Sequence, residues 1–432
     1  MEQRFDTLKI HGGYDPFEHH RASVVPIYQT AAYSLEDTYH ADKQFAFAEE
    51  GPVYSRLANP TVSVLEERVK ALHGGSGAIA MASGMAAVST TLLNVAGKGG
   101  RILTTANLYG GSVDCLATLL PQMGVEVDFV EKGNDADEFE EKITENTKAI
   151  YIETVTNPFA EIPDIQGIAD LAHKHGIPLI VDNTMATPYL INPFDFGVDI
   201  AVYSATKGLS GHGDALAGIV VESGKFDFGK EKYPQFYEPL WILKDEKEHM
   251  RSVKDLFPKD PFTGRLRVLY LNYLGAVLAP MSAYLIMLGM ETLSERLDKQ
   301  VANTKKVVAF LEKNPHVEWV RYPSAEGSPF KERAAKYFPK GAGAIFSFGF
   351  KGTEEERRKF LVSTKVLKYA SNIGDARSLI INPTQTTHLE LTKEQQGQVG
   401  LTDNTIRLSI GLEDPQDLIE DLDQAFRCTF SK

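Results

Sequence analysis

Seven short apolar segments alternate with helix-like segments between residues 78 and 221, and this alternation restricts the fold more than any other feature of the chain. Two of the connections, Met85–Val95 and Ile165–His175, have the apolar spacing of helices. Strands that alternate with helices form a mostly parallel sheet covered on both faces, so the sequence predicts an α/β fold. The candidate strands are Ala78–Ala82, Arg101–Thr105, Val125–Val130, Ala149–Glu153, Pro178–Val181, Asp199–Tyr203 and Leu216–Val221.

The chain is long enough for two or three domains, because 432 residues exceed the usual size of one compact unit. Residues 1–58 carry Pro, Gly and aromatic residues but little periodicity, so we predict an N-terminal extended arm of the kind that packs on a neighbouring subunit. We expect the α/β domain to span residues 59–270, with a helix opening at Asn59-Pro60-Thr61, and a smaller α+β domain to span residues 271–432. Segment 223–264 lacks clean periodicity and is expected to be a long excursion near the mouth of the site. The elements predicted in the smaller domain are a helical stretch through Glu312, strands at Gly343–Phe350, Ser378–Ile381 and Thr405–Gly411, and helices at Glu354–Val362 and Pro415–Phe426.

Composition excludes two classes of partner. Charged residues are 24% and hydrophobic residues 43% of the chain, which is typical of a soluble globular protein. The formal net charge is −13 and no run of Lys and Arg interrupts it, so nucleic acid and anionic membranes are poor partners. The segment Val268–Met290 carries no charge and is long enough to cross a bilayer, but Pro280 divides it. Two buried helices at a domain junction are therefore the better interpretation.

The cysteines and histidines indicate which cellular compartment the protein occupies and whether it has a metal site. The two cysteines, Cys115 and Cys428, form no CxxC pair, which excludes a disulfide scaffold and favours a reducing compartment. The segment Met1–Asp6 lacks the apolar region of a secretory signal, so we expect a cytoplasmic protein. His173 and His175 are two residues apart on a predicted helix and face different ways, so no metal site is predicted.

Lys207 differs from the other lysines because it follows an apolar strand and enters a glycine-rich turn. The run Val198–Tyr203 leads into Ser204-Ala205-Thr206-Lys207-Gly208, and a second strand-like run follows at once. Desolvation of a lysine lowers its pKa and makes a neutral, nucleophilic amine available, which is what Schiff-base chemistry requires. For a single lysine, a snorkelling or ion-paired side chain is the commoner interpretation.

Asp182 gives Lys207 a chemical partner. The run Ile177–Val181 is typical of a buried parallel strand and ends in Asp182-Asn183-Thr184, and open α/β sheets bind ligands at the carboxyl ends of their strands. An acid there can keep a ring nitrogen protonated while a lysine amine takes an aldehyde carbon. Pyridoxal phosphate requires this pair of groups together with a phosphate site.

A phosphate site is predicted where Ser83-Gly84-Met85-Ala86-Ala87 follows a strand and starts a helix. Glycine lets a ligand approach the backbone, and the N–H groups of the first helical turn favour an anion. Ser204 and Thr206 offer hydroxyl donors to the same phosphate. Taken alone, these residues are more often explained by an N-capping serine with a packing glycine and by turn-capping hydroxyls.

Four further residues fit the same ligand. Tyr109 follows another strand and can stack on a flat ring, and Asn157 can place an amide beside a ring hydroxyl. Arg56, in the predicted arm, offers a forked donor to phosphate. Arg407 lies on an otherwise apolar strand and requires an anion there. A substrate carboxylate and a structural Asp or Glu remain equally open as its partner.

Taken together, these segments resemble the Cys/Met-metabolism pyridoxal-phosphate enzymes over nearly the whole chain. The resemblance implies a type I aminotransferase-like fold, pyridoxal 5′-phosphate as cofactor, a small amino-acid substrate, and a homo-oligomer, a tetramer whose sites are shared within dimers. The motifs that carry it are Tyr54-Ser55-Arg56, Asn59-Pro60-Thr61, Ala82-Ser83-Gly84-Met85-Ala86-Ala87, Tyr109-Gly110-Gly111, Val181-Asp182-Asn183-Thr184, Ser204-Ala205-Thr206-Lys207 and Arg407-Leu408-Ser409-Ile410-Gly411-Leu412-Glu413.

The resemblance also implies a role for each candidate residue. Lys207 holds the cofactor aldehyde and acts with Tyr109 as a catalytic residue, and Asp182 keeps the ring nitrogen protonated. Tyr54 and Arg56 reach the phosphate from the neighbouring subunit. The remaining cofactor contacts are assigned to Gly84, Met85, Tyr109, Asn157, Ser204 and Thr206, and the substrate contacts to Tyr54, Asn372 and Arg407.

Motif variants point to one reaction within the family. Methionine γ-lyases usually have a cysteine where Gly111 stands, and the lyases and cystathionine enzymes usually have Ser-Leu-Gly where Asn372-Ile373-Gly374 lies. The variants here resemble those of members that replace the γ-acetate of O-acetyl-L-homoserine by sulfide or methanethiol, giving L-homocysteine or L-methionine. A methionine γ-lyase or a cystathionine γ-synthase-type enzyme is the alternative. The acyl group stays open, because Ile381–His388 departs from the commoner His-Pro-Ala-Ser-Thr-Thr-His.

Overall fold

A seven-stranded sheet forms the centre of the larger part of the protein. The computed structural model describes residues 3–35, 37–46, 49, 51–244, 249–389 and 392–431. The strands are β1 Gly77–Met81, β2 Arg101–Thr105, β3 Glu126–Val130, β4 Thr147–Glu153, β5 Leu179–Asp182, β6 Ile200–Ser204 and β7 Gly218–Glu222. The sheet order is β1-β7-β6-β5-β4-β2-β3, and β7 alone runs antiparallel to its neighbours. Each strand begins and ends within two residues of its predicted position, so the predicted α/β fold is confirmed.

Both faces of this sheet are buried. In β4, Ile150 and Ile152 pack in one hydrophobic core with the helix Ile165–Lys174, while Tyr151 packs on the opposite face in a second core with the helix Gly84–Ala96. Successive side chains of a strand point to opposite faces, so a strand covered on both sides needs apolar residues at nearly every position. This requirement explains the continuous apolar runs in the sequence.

A second, five-stranded sheet forms the smaller part of the protein. Its strands are β10 Val317–Arg321, β11 Ile345–Phe350, β12 Lys368–Tyr369, β13 Leu379–Ile381 and β14 Thr405–Ser409, and the strands β8 Leu240–Lys244 and β9 Met250–Arg251 pair separately. The sheet order is β10-β11-β14-β13-β12, with antiparallel neighbours except for the parallel pair of β12 and β13. The edge strand β10 was not predicted, because its exposed Glu318 and Arg321 interrupt the apolar pattern.

The two faces of β14 have different chemistry. Ile406 and Leu408 lie in a third hydrophobic core, whereas Arg407 and Ser409 point to the other face. Ser347, which pairs with Arg407 across the sheet, donates a hydrogen bond to the Pro158 carbonyl oxygen at 2.6 Å. The polar face of the smaller sheet therefore lies against the larger sheet.

The helices confirm most predicted positions. Asn59 caps the helix Pro60–His73 by accepting a hydrogen bond from the Thr61 amide. The helical stretch predicted from 271 to 312 is interrupted at 275–279 and again after Met290. No helix in the described ranges is long and apolar enough to cross a membrane. Among the described residues, the α-helices of six or more residues are Phe5–His11, Thr38–Phe45, Pro60–His73, Gly84–Ala96, Ile165–Lys174, Pro280–Met290, Leu293–Leu311, Lys331–Tyr337, Glu354–Ser363, Lys393–Gln398 and Pro415–Phe430. The π-helix Leu266–Leu271 joins the short helices Pro261–Arg265 and Asn272–Leu274 into one helical segment.

The predicted arm, residues 1–58, is not extended throughout. Its helix Phe5–His11 packs with Phe5 and Leu8 against a core of its own chain. The buried Lys9 amine donates hydrogen bonds to Ser294 Oγ and, at 2.6 Å, to Glu295 Oε2. The division of the chain at 58 and 270 stays a prediction.

The excursion at 223–264 lies partly elsewhere than predicted. Phe228, Tyr233 and Phe236 are buried in a core of the large sheet. The Tyr233 hydroxyl donates to the Lys148 carbonyl oxygen at 2.8 Å, and Lys148 Nζ donates to the Lys232 carbonyl oxygen at 2.9 Å. Because Lys148 lies at the amino end of β4, this part of the excursion lies at the edge opposite the strand ends that carry the site, and the predicted position was wrong for it. Residues 245–248 lie outside the described residues.

Candidate active site

Lys207 lies in a tight turn directly after β6. The turn is held by hydrogen bonds from the Lys207 amide to the Ser204 carbonyl oxygen at 3.1 Å and from the Gly211 amide to the Lys207 carbonyl oxygen at 2.8 Å. The Lys207 amine donates to Asn372 Oδ1 at 2.6 Å. Burial lowers the pKa of Lys207 to about 8, and the nearby charge of Arg407 contributes in the same direction. The Lys207 amine is therefore desolvated, and its role as the nucleophile stays a prediction.

Asp182 and Glu153 end two neighbouring strands at paired positions. Asp182 closes β5 and pairs in register with Glu153 of β4 and with Val202 of β6. One Asp182 oxygen accepts from the Thr184 amide at 2.9 Å. Burial raises the pKa of both carboxyl groups, and the Asp182 charge raises that of Glu153 further. Two adjacent carboxyls resist simultaneous ionisation, so the charge of one disfavours ionisation of the other.

Glu153 was missed by sequence reasoning and joins two loops of the site. Its Oε1 accepts from the Tyr109 amide at 2.7 Å, and its Oε2 accepts from the Asn157 amide at 2.9 Å. An acid at the end of a buried strand is the signal that identified Asp182, and the same signal could have identified Glu153. The ring of Tyr109 folds over Gly111, where an added Cβ would lie 2.7 Å from the ring.

The predicted phosphate residues come together. Ser83 caps the helix Gly84–Ala96 by accepting from the Ala86 amide at 3.1 Å, and Met85 is partly buried beside it. A Cβ at Gly84 would lie 2.6 Å from Ser204 Cβ, so only glycine lets this helix start so close to the end of β6. The amides of a first helical turn have no intrahelical partner and bind anions. Thr206 is tied to the backbone by its hydroxyl, which accepts from the Ala217 amide at 3.0 Å.

Arg407 reaches the same region from the smaller sheet. It is 3% exposed, and it donates from Nη1 to Asn157 Oδ1 at 3.0 Å and from Nη2 to the Asn372 carbonyl oxygen at 3.2 Å. Burial lowers its pKa to about 10. Its Nε has no hydrogen-bond partner, and no ion pair joins it to a carboxylate within the described ranges. A structural Asp or Glu is therefore not the partner found here, and the guanidinium has capacity for an anion.

The position of His388 in the site was also not predicted from the sequence. It is buried, and its Nε2 lies 3.2 Å from the Asn157 carbonyl oxygen. Burial and the charge of Arg407 lower its pKa to about 4, so at neutral pH the ring is uncharged and its Nε2–H donates to that oxygen. His388 thus ties the C-terminal part of the chain to the Asn157 loop.

Tyr54 and Arg56 are not brought to this cluster within one chain. Both are exposed, and the Arg56 guanidinium carbon lies 5.4 Å from the centre of the Tyr54 ring. The backbone beside them is anchored by Arg267, which donates to the Leu57 carbonyl oxygen at 2.9 Å and to Glu66 at 2.6 Å. Their assignment to a site on a neighbouring subunit stays a prediction.

The fold and the site together define a class of protein. A desolvated lysine and an acid lie at the carboxyl ends of adjacent parallel strands, beside a helix N-terminus that requires glycine. These groups fit the aldehyde, the ring nitrogen and the phosphate of pyridoxal phosphate, and Arg407 adds an anion site from the second sheet. The class is that of the type I aminotransferase-like pyridoxal-phosphate enzymes.

The chain belongs to the Cys/Met metabolism PLP-dependent enzyme family, whose profile matches residues 6–427, and its cofactor is pyridoxal 5′-phosphate. It is 40% identical over 428 residues to the sulfhydrylase FUB7 of Fusarium oxysporum f. sp. lycopersici, covering 98% of each chain. It is 39% identical over 431 residues to the O-acetyl-L-homoserine sulfhydrylase of Leptospira meyeri, covering 98% of this chain and 96% of the relative.

A solved structure supports the same family. The crystal structure of a proposed O-acetylhomoserine (thiol)-lyase from Campylobacter jejuni, which contains N′-pyridoxyl-lysine-5′-monophosphate, matches with a TM-score of 0.92 and 39% identity. The match covers 98% of this chain and 100% of that chain. The predicted family, fold and cofactor are thus confirmed.

Proposed function

We propose that this enzyme replaces the γ-acetate of O-acetyl-L-homoserine by sulfide and forms L-homocysteine. In the net reaction the bond between Cγ and the acetate oxygen breaks and a bond between Cγ and sulfur forms, so that hydrosulfide and the ester give homocysteine and acetate. Methanethiol in place of sulfide gives L-methionine. The similarity to the sulfhydrylases supports this choice of acyl group and nucleophile.

Bound pyridoxal phosphate supplies an electron sink that makes the protons on Cα and Cβ of the amino acid acidic. Lys207 holds the cofactor aldehyde, and its amine, once displaced by the substrate, moves protons at Cα and Cβ. A pKa near 8 suits this task, because an appreciable fraction of the amine is neutral at physiological pH. Asp182 keeps the ring nitrogen protonated.

Arg407 is the observation that best supports an amino-acid substrate. Its guanidinium is buried, has neutral oxygens as described partners, and contacts the carbonyl of Asn372, whose side chain contacts the Lys207 amine. A carboxylate bound to Arg407 would hold Cα of the substrate close to that amine. We assign Arg407, Asn372 and Tyr54 to the substrate, and orientation of this kind is a large part of enzymatic rate enhancement.

The remaining residues hold the cofactor in this proposal. The Gly84 and Met85 amides and the Ser204 and Thr206 hydroxyls receive the phosphate. Tyr109 stacks on the ring and assists proton transfer, and Asn157 places its amide beside the ring hydroxyl.

We further propose a cytoplasmic homotetramer whose sites are shared within dimers. The exposed pair Tyr54 and Arg56 supports the sharing, because no described hydrogen bond or ion pair joins either side chain to the phosphate residues of its own chain. The free thiols of Cys115 and Cys428 suit a reducing compartment. Mixing Lys207→Ala subunits with Arg56→Ala subunits should restore activity, because one site of each hybrid dimer is complete. If hybrids regain no activity, sharing is contradicted.

A panel of substrates tests the reaction. The purified holoenzyme should release homocysteine from O-acetyl-L-homoserine and sulfide, and should prefer this ester to O-succinyl-L-homoserine. With methionine alone it should release little 2-oxobutanoate and ammonia. If 2-oxobutanoate from methionine is the main product, the enzyme is a γ-lyase. If cysteine is the preferred nucleophile, the enzyme is a cystathionine γ-synthase.

A further inference from the structure

One face of the helix Leu293–Leu311 carries three buried polar side chains in a row. Arg296, Gln300 and Asn303 are spaced by four and three residues, so they lie on the same side of the helix. All three are buried, although burial of polar side chains costs more free energy than burial of apolar ones. Each of these side chains therefore requires a hydrogen-bond partner inside the protein.

Each of the three side chains donates to the backbone of a different loop. Arg296 donates from Nη1 to the Gly208 carbonyl oxygen at 3.1 Å, directly after Lys207 in the chain. Gln300 Nε2 donates to the Asp375 carbonyl oxygen at 2.8 Å. Asn303 Nδ2 donates to the Gly411 carbonyl oxygen at 3.1 Å.

These loops are the ones that carry three of the proposed site residues. The acceptor carbonyls follow Lys207 by one residue, Asn372 by three and Arg407 by four. The loops also touch one another, because the Ala376 amide donates to the Gly211 carbonyl oxygen at 2.8 Å and the Ala376 carbonyl oxygen accepts from the Leu412 amide at 2.8 Å. The helix is thus the common support of all three.

The same helix joins two hydrophobic cores. Leu297 and Val301 pack in a core of the large sheet, whereas Val308 and Leu311 pack in the core of the small sheet. A single helix fixes the position of each residue along its length. Loops hydrogen-bonded to it therefore have fixed distances from one another across the boundary between the two sheets.

Of the three side chains, Arg296 makes the most contacts with the loop after Lys207. Beyond Gly208, its Nη2 donates to the carbonyl oxygens of Leu209 at 3.2 Å and Gly289 at 2.8 Å. A Cβ at Gly211 would lie 2.0 Å from its Nη1, so the loop after Lys207 is shaped to admit the guanidinium. The described partners of this buried charge are carbonyl oxygens and the Thr292 hydroxyl. Such a charge is poor evidence of stabilisation, since an apolar side chain of similar volume often stabilises as well.

We infer that Arg296, Gln300 and Asn303 are positioning residues that set the distance between the Lys207 amine and the Asn372 and Arg407 groups proposed to bind the substrate carboxylate. This inference rests on the proposed function of Lys207 and Arg407. Arg296 acts on the lysine side of the site, and Gln300 and Asn303 act on the carboxylate side.

The variants Arg296→Met and Gln300→Leu test the inference as holoenzymes, with two matched controls on the same helix. Lys299→Met removes an exposed basic side chain, and Leu297→Ala damages the buried apolar face without touching a loop. The readouts are the pH midpoint of the visible band of the lysine-bound cofactor, the dissociation constant of pyridoxal phosphate from the apoenzyme, KM, kcat and the thermal midpoint. Arg296→Lys, which keeps the charge, is the conservative variant.

Arg296→Met should shift the pH midpoint of the band by about half a unit or more and weaken cofactor binding by about tenfold. Gln300→Leu should raise KM for the amino acid by about tenfold and leave the band unchanged. Arg296→Lys should recover part of the loss. Leu297→Ala should lower the thermal midpoint and leave the band midpoint and KM within about twofold of the unaltered enzyme.

If Arg296→Met and Gln300→Leu lower only the thermal midpoint, as Leu297→Ala does, the positioning role is overturned while the proposed function stands. If Arg296→Met does not fold, Arg296→Lys and Gln300→Leu decide by the same criteria. An unaltered protein that shows no cofactor band with pyridoxal phosphate would contradict both the proposed function and this inference.

Discussion

The amine of Lys207 lies 2.6 Å from the side-chain oxygen of Asn372, so a residue that follows a strand of the large sheet meets one from the part of the chain that builds the small sheet. The environment of this amine is therefore set by both parts of the molecule. Arg407 adds a positive charge from the small sheet, which helps to keep the pKa of Lys207 near 8.

Binding of pyridoxal phosphate by the apoenzyme should become faster as the pH rises. The neutral amine is the reactive form, and its fraction grows as the pH passes through about 8, the pKa of Lys207. Stopped-flow absorbance between pH 6.5 and 9.5 measures this rate. Asn372→Asp should move the midpoint upward, because a carboxylate stabilises the charged amine. A rate that does not change across this range would contradict the assignment.

Glu153→Gln should slow catalysis more than it destabilises the protein. Both carboxyl oxygens of Glu153 accept from amides of the loops at Tyr109 and Asn157, and a Gln amide group can accept at only one of them. We expect kcat to fall about tenfold or more, measured with saturating substrate.

The matched control is Glu222→Gln at the far end of the sheet. Glu222 is also buried and accepts from the Phe262 and Thr263 amides, and burial raises its pKa to about 8. This variant should lose stability and keep kcat within about twofold. If both variants lose activity equally, the proposed role of Glu153 in positioning the Tyr109 and Asn157 loops is contradicted.

Much of this arrangement is readable from the sequence because its strands are buried on both faces. The apolar runs before Asp182 and Lys207 identify neighbouring strands, and the carboxyl ends of such strands lie together. The polar alternation of β14 likewise singles out Arg407. Glu153 carried the same signal as Asp182 but was not singled out.

Other features depend on partners far along the chain. Arg296 lies on an ordinary amphipathic helix, and nothing local indicates that it contacts the loop after Lys207. The excursion near Tyr233 packs at the opposite edge of the sheet because of its contact with Lys148. The edge strand β10 is half exposed and lacks a clear pattern. Sequence spacing does not specify such tertiary contacts.

Arg407→Leu should impair substrate binding far more than cofactor binding. The side chain is buried beside Asn157 and Asn372, and loss of a charge-assisted contact with a substrate carboxylate costs about 2–4 kcal/mol. We expect kcat/KM to fall by about 30-fold to 10³-fold. Measuring KM and the visible cofactor band together checks this, and an unchanged KM would contradict the role.

His73 should contribute to acid sensitivity. It is fully enclosed, and as a neutral ring it donates from Nδ1 to the Val69 carbonyl oxygen and accepts at Nε2 from the Tyr203 hydroxyl at 2.6 Å. Burial lowers its pKa to about 4, below the value of about 6.5 expected in the unfolded chain. The unfolded state therefore binds the proton first, and the free energy of unfolding falls as the pH drops from about 6.5 to 4.

The variant His73→Gln should remove this part of the pH dependence. For each protein the quantity compared is the loss of unfolding free energy between pH 7 and pH 4.5. This loss should be about 2–3 kcal/mol smaller in the variant than in the unaltered protein. Urea unfolding at the two pH values measures the difference. Parallel losses in both proteins would show that His73 is protonated in the folded state.

The most direct measurement is homocysteine formation from O-acetyl-L-homoserine and sulfide by the unaltered enzyme and by Lys207→Ala, each incubated with pyridoxal phosphate and monitored for the visible band. We predict homocysteine and a band with the first protein, and neither the band nor more than about a thousandth of the turnover with the second. Full activity in the variant, or no homocysteine from the unaltered enzyme, would contradict the proposed reaction.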